Sequence, residues 1–111
     1  MINVIVIKKN QTIKTIEATG HSGYAESGFD IVCSAVSTLM QNLANGLTEV
    51  VKAQAKVIVD ESIPHLSVTV TEQDKEKAKQ AQMLMQTTLL SLKEVANGFS
   101  KFIKIKEKQN D

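Results

Sequence analysis

The spacing of apolar and polar positions changes period several times along the chain, and each change marks an element. Ile2 to Ile7 is nearly all Ile and Val and stops at Lys8 and Lys9; residues 12–19 alternate Ile with Thr, Lys and Glu. Both stretches predict strands, and the step Lys8 to Gln11 between them fits a hairpin loop. From Val32 onward the apolar positions fall at Val36, Leu39, Met40, Leu43, Leu47, Val50 and Val51. Steps of three and four predict a helix over about Ile31 to Lys52. Ala55, Val57 and Val59, then Leu66, Val68 and Val70, return to alternation, with the single proline, Pro64, between them. A second hairpin is expected there. Ala78, Ala81, Met85, Leu89, Leu92, Val95 and Phe99 trace another helical stripe. Asp74 and Glu76 suit its first turn and Asn97-Gly98 its end. Ile103 and Ile105 predict a short last strand before a polar tail from Lys108 to Asp111.

The order is ββαββαβ. Two amphipathic helices need a surface to cover, and the strands alternate enough to keep one sheet face wet, so the expected fold is α+β. It is a two-layer sandwich of two helices on a five-stranded, mostly antiparallel sheet, in one domain spanning residues 1–111. The wet face is available to a second copy. Met83, Leu84 and Met85 are expected as core filler.

Composition narrows the function classes. Thirteen Lys and Arg against twelve Asp and Glu leave a net charge of +1, so no global field draws the chain to nucleic acid or an anionic membrane. The opening apolar run lacks a basic flank and a cleavage site and is too short to span a bilayer. A single cysteine forms no internal disulfide. A cytoplasmic location with Cys33 as a free thiol is the expectation.

Chemistry concentrates in GHSGYAESGFDIVCSAVSTLM, which starts at Gly20 and holds Cys33, His21 and three of the five glycines. Asp30 precedes the helical stripe and is the expected N-cap, which puts Cys33 in the first turn. The helix dipole there favours a thiolate. Its contribution of about 0.3–1 kcal/mol is less than one pKa unit, and Asp30 and the apolar neighbours Ile31 and Val32 oppose it. An imidazolium within about 4–6 Å supplies one to three units, and His21 is the nearest in sequence. Against this stands a bland reading: lone cysteines are often buried, and Cys33 flanks the apolar stripe. The glycines favour chemistry. Gly20, Gly23 and Gly28 bracket nine residues, longer than a structural β-to-α connection needs, and such a loop suits a substrate flap around Tyr24.

Other signals are weaker. The glycine spacing matches no nucleotide-binding pattern, and one Cys with one His falls short of a zinc site, so no metal or cofactor is expected. His65 is expected as a solvated surface residue beside Ser67 and Thr69. Ser34 and Ser37 have no base at helical spacing and read as boundary residues. Lys101, Lys104, Lys106 and Lys108 read as an edge strand guarded against aggregation, and no direct nucleic-acid contact is required.

The run Gly20 to Glu26, then Gly28 and Asp30 to Ser37, resembles the signature of the ribosomal-processing cysteine protease family, Prp. The resemblance extends over nearly the whole chain. It implies a small cytosolic homodimer that removes the N-terminal extension of bacterial large-subunit ribosomal protein twenty-seven. His21 and Cys33 match the family's catalytic dyad, Asp30 and Ser37 its supporting polar positions, and Gly20 to Phe29 its active-site loop. Ser22 and Ser34 stand where alanine is commoner, which bears on substrate preference. The implied reaction is peptide-bond hydrolysis through an acyl-enzyme. Asp30 either orients His21 or only caps the helix. Two other readings of the residues stay open: a ribosome-associated binding module using Lys101, Lys104 and Lys106, and a thiol redox sensor at Cys33.

Overall fold

Five strands and two helices follow one another in the order β1 (Ile2–Lys9), β2 (Thr12–Gly20), α1 (Phe29–Asn45), β3 (Ala55–Asp60), β4 (His65–Val70), α2 (Lys75–Gly98) and β5 (Ile103–Gln109). This computed structural model describes residues 1–20, 29–60 and 65–110, with Phe29 and Asp30 through their backbone. The Pro64 turn lies outside the described residues. The sheet runs β3-β4-β2-β1-β5. Its β1–β2, β2–β4 and β3–β4 pairs are antiparallel and β1–β5 is parallel. The ββαββαβ sandwich is therefore as expected, with a mixed sheet.

One buried cluster joins Val4, Val6, Ile16 and Val68 of the sheet to Val32, Met40 and Leu43 of α1 and to Met85 and Leu92 of α2. Ile13 and Ile16 both belong to it, although a spacing of three puts residues on opposite faces of a regular strand. A β-bulge reconciles them. The β1–β2 register slips between Ile7 and Lys8, from Ile7↔Thr15 to Lys8↔Ile13, and turns both isoleucines inward. The hairpin closes through Asn10 at φ 59, a conformation asparagine tolerates.

The first helix differs from expectation at both ends. It begins at Phe29, so Asp30 lies inside the first turn, and the capping position falls outside the described residues. An aspartate suits the first turn of a helix as well as its cap, which is why sequence alone misplaces the start. At the other end the α-helix stops at Asn45 and the chain continues as a π-turn, Gly46–Val50, with Val51 N–H bonding Gly46 C=O at 2.9 Å. The wider turn rotates Val50 off the stripe, and it is 79% exposed.

The second helix starts as expected. Asp74 is its N-cap, its Oδ2 accepting from Lys77 N–H at 3.0 Å. Met83, expected in the core, is 65% exposed instead, because Ala81, Met85, Leu89 and Leu92 set the buried face. β5 runs four residues further than its apolar pattern suggests. Lys106 to Gln109 pair with Ile5 to Lys8 of β1, and Glu107 Oε1 meets Lys8 Nζ at 2.7 Å. At an edge, backbone pairing can continue through polar residues that hide a strand from a hydrophobic pattern.

Candidate active site

Side chains at i, i+3, i+4 and i+7 share a helix face, and on α1 that rule brings Cys33, Val36, Ser37 and Met40 together. They form one wall of a cleft of about 380 Å³. The sheet supplies the other wall: Ile2, Ala18 and Leu66 line it, with Gly20 at the end of β2 and Val59 and Asp60 at the end of β3. The floor is therefore apolar, with the Cys33 thiol, the Ser37 and Thr19 hydroxyls, the Gln41 amide and the Asp60 carboxylate among the residues around it. Cys33 is half-buried and packs on the margin of the core. Both readings of this cysteine thus meet at one place: it borders the core and also faces the cleft.

The later helix start changes what the first turn offers. With Phe29 as the first helical residue, Cys33 is the fifth, not the third. In α geometry its own N–H is directed to the Phe29 carbonyl, so unpaired donors at this end belong to earlier residues. The dipole's effect fades beyond the first turn, so a thiolate at Cys33 depends all the more on an imidazole partner.

Of the other expected site residues, Ser37 is exposed and one turn along from Cys33. Gly20 is the last residue of β2, opposite Ile2. A Cβ at Gly20 would lie 2.9 Å from Ile2 Cγ1, so close packing accounts for this glycine without invoking loop motion. His21, Gly23, Tyr24 and Gly28 lie outside the described residues, as does the side chain of Asp30.

His65 is less exposed than expected. It contributes to the cleft lining, and its Nε2 is buried 3.2 Å from Glu17 Oε2, close enough for an ion pair but without an aligned hydrogen bond. Register fixes where its side chain lies. Ala18↔Leu66 and Ile16↔Val68 occupy the helix-covered face, so Thr19↔His65 and Glu17↔Ser67 occupy the opposite one. Thr15 Oγ1 and Thr69 Oγ1, 3.0 Å apart, continue that polar face. The imidazole is therefore directed to Glu17 on the sheet face away from α1, although the residue borders the same cleft as Cys33.

Sequence reading missed Met40, Val59, Asp60 and Leu66 as cleft residues. The signal for one of them was present: Val57-Ile58-Val59 interrupts the alternation of β3, and all three are exposed. Among the described residues no group of three or more His, Cys, Asp or Glu could hold a metal ion. No described helix is long and apolar enough to cross a membrane.

Comparison with known proteins agrees on one family. The family model described as cysteine protease Prp matches residues 1–104. The ribosomal processing cysteine protease Prp of Staphylococcus aureus is 23% identical over 109 residues, 97% of this chain and all of that protein. The crystal structure of SMU.848 from Streptococcus mutans superposes with a TM-score of 0.88 at 30% identity, covering 99% of this chain and 96% of that one. The S. aureus processing protease solved with a substrate peptide gives 0.86 at 21% identity, over 97% and 100% of the two chains. A family match running from β1 through α2 to the start of β5, around a cysteine-lined cleft, leaves one family conclusion: the chain belongs to the cysteine protease Prp family.

Proposed function

We propose that this chain is a cysteine endopeptidase that removes the N-terminal extension of bacterial large-subunit ribosomal protein twenty-seven, working as a cytoplasmic homodimer. The observation that carries the reading is Cys33, half-buried in the wall of an apolar-floored cleft, in a chain of this family. Two S. aureus structures of the same fold, one with a substrate peptide and one with a covalently linked product peptide, support it.

In this reading Cys33 and His21 are the dyad. The Cys33 thiolate attacks the scissile carbonyl carbon, and the His21 imidazolium gives its proton to the departing amine as the C–N bond breaks. Water then attacks the thioester while His21 takes a proton from it, releasing the carboxylate and restoring the thiolate. Ser37 and Asp30 are the supporting polar groups, and Gly20, Gly23, Tyr24 and Gly28 belong to the loop that meets the substrate.

The test is mass spectrometry of a peptide carrying the ribosomal extension, incubated with wild type, Cys33→Ala and His21→Ala. Wild type is expected to give two fragments and both variants none. Cleavage by Cys33→Ala removes the nucleophile assignment; an intact peptide together with rapid peroxide oxidation of Cys33 points to a redox role instead.

A further inference from the structure

The two edges of the sheet are protected differently. β5, at one edge, exposes Lys104, Lys106 and Lys108, the charged guard that keeps an edge from pairing. β3, at the other, exposes Val57 at 37%, Ile58 at 41% and Val59 at 55%, with Lys56 its only lysine. Among the described residues no strand pairs with its outer side. Such an edge is an unguarded template for an extended chain.

Its position relative to the cleft indicates which chain. Val57↔Val68 and Val59↔Leu66 put the two valines on the helix-covered side of the sheet. Val59 and Asp60, at the end of that strand, line the same cleft as Cys33. The edge thus leads directly into the reaction site. Size argues against a second copy as its occupant. Six residues of strand span about 20 Å, and one such pairing falls well short of the roughly 800 Å² per partner of a stable interface. The same length fits a peptide segment of four to six residues.

We propose that the substrate docks as a sixth strand on the outer edge of β3, its backbone pairing with residues 56–60. Every second side chain then enters the apolar cleft floored by Val36, Met40, Val59 and Leu66, and the intervening ones lie beside Ile58. This inference rests on the endopeptidase reading and adds to it a selective feature: apolar residues at alternate positions next to the scissile bond.

The experiment combines two arms on the full chain. In the first, steady-state cleavage of the ribosomal-extension peptide is compared between wild type and Val57→Lys. The variant is expected to raise KM about tenfold, the scale of one or two lost strand bonds, with kcat nearly unchanged. In the second, the same peptide is N-methylated at one backbone position at a time, and its binding to Cys33→Ala is measured by fluorescence anisotropy. Affinity is expected to drop at every second position on one side of the scissile bond and to hold at those between. This arm leaves β3 unchanged, so it decides the matter even if Val57→Lys does not fold. An unchanged KM in folded Val57→Lys, or a methylation profile without alternation, overturns the proposal. So does conversion of a dimer to a monomer by Val57→Lys in analytical ultracentrifugation, since the edge would then hold a second copy. Alternating loss of binding without turnover by wild type sustains the docking mode and refutes the endopeptidase reading alone.

Discussion

Gln82 of α2 treats Ile13 as a neighbouring strand would: its Oε1 accepts from Ile13 N–H at 2.9 Å and its Nε2 donates to Ile13 C=O at 2.7 Å. The β2–β4 ladder ends at Thr15↔Thr69, so a helix side chain satisfies backbone groups beyond the end of β4. This clamp also sits beside the bulge that turns Ile13 inward.

Breaking that clamp should destabilise the fold out of proportion to the volume removed. Gln82→Leu keeps the side chain's bulk but strands a donor and an acceptor. We expect a loss of about 1–3 kcal/mol in urea denaturation, at roughly 0.5–1.5 kcal/mol for each part-buried bond. Gln82→Glu keeps the acceptor only and should fall between Leu and wild type at neutral pH. Equal stability of all three proteins would show that the bulge holds without α2.

The two histidines should separate in kinetics. His65 lies on the sheet face opposite α1, beside Glu17. His65→Gln should therefore retain the alkaline limb of the pH–rate profile, where an imidazolium acting as general acid loses its proton, with at most a modest change in kcat. His21→Gln should lose that limb and about 10²–10⁴-fold in kcat, the range for a general acid–base. An alkaline limb abolished by His65→Gln would transfer the role to His65.

How much of this was legible in the sequence depends on whether the signal was local. Val4, Val6, Val68 and the α1 stripe from Val32 to Leu47 announced themselves by period, because a sheet face and a helix stripe bury at fixed intervals. Cys33 stood out through chemistry. The parallel pairing of β5 to β1 joins segments about a hundred residues apart, and its lysines hid the second half of the strand. The π-turn left no mark in the pattern, since Val50 continues the stripe in sequence and leaves it only in space. Val59, Asp60 and Leu66 reach the cleft through strand order, β3 and β4 lying beside β2, which local pattern does not encode.

Two glycines that look equivalent in sequence should respond with opposite signs. A Cβ at Gly20 would meet Ile2 Cγ1 at 2.9 Å, whereas Gly98 has nothing within 4 Å. Gly20→Ala must shift a buried isoleucine and should cost about 1–3 kcal/mol, the usual range for overpacking. Gly98→Ala, at the end of α2, should stabilise by about 0.4–1 kcal/mol through the unfolded chain's lost freedom. Differential scanning calorimetry of the two variants checks both signs, and a raised Tm for Gly20→Ala would contradict the close approach to Ile2.

Acid sensitivity should divide into a salt-dependent and a salt-independent part. Glu107 is held below the ordinary carboxylate range by Lys8 first and Lys93 second, at 2.7 and 3.1 Å. Glu72 is lowered by backbone N–H groups, that of Asp74 first and of Gln54 next, at 2.9 and 2.7 Å. A lowered carboxylate contributes stability that is complete above its unfolded value and is lost as pH falls through its lower folded value. Both glutamates therefore weaken the protein only on the acid side of about pH 4.3, the ordinary glutamate value. The Glu107 pairs are exposed ions that salt screens, worth roughly 0.2–1 kcal/mol each at most. Amide donors to Glu72 depend far less on ionic strength. Urea midpoints between pH 3 and 6, at about 0.1 and 1 M salt, should show that Glu107→Gln costs stability near neutrality only at low salt. Glu72→Gln should lower the midpoint at both salt concentrations, and a salt-dependent deficit for Glu72→Gln would mean that Lys77, not the amides, holds its charge.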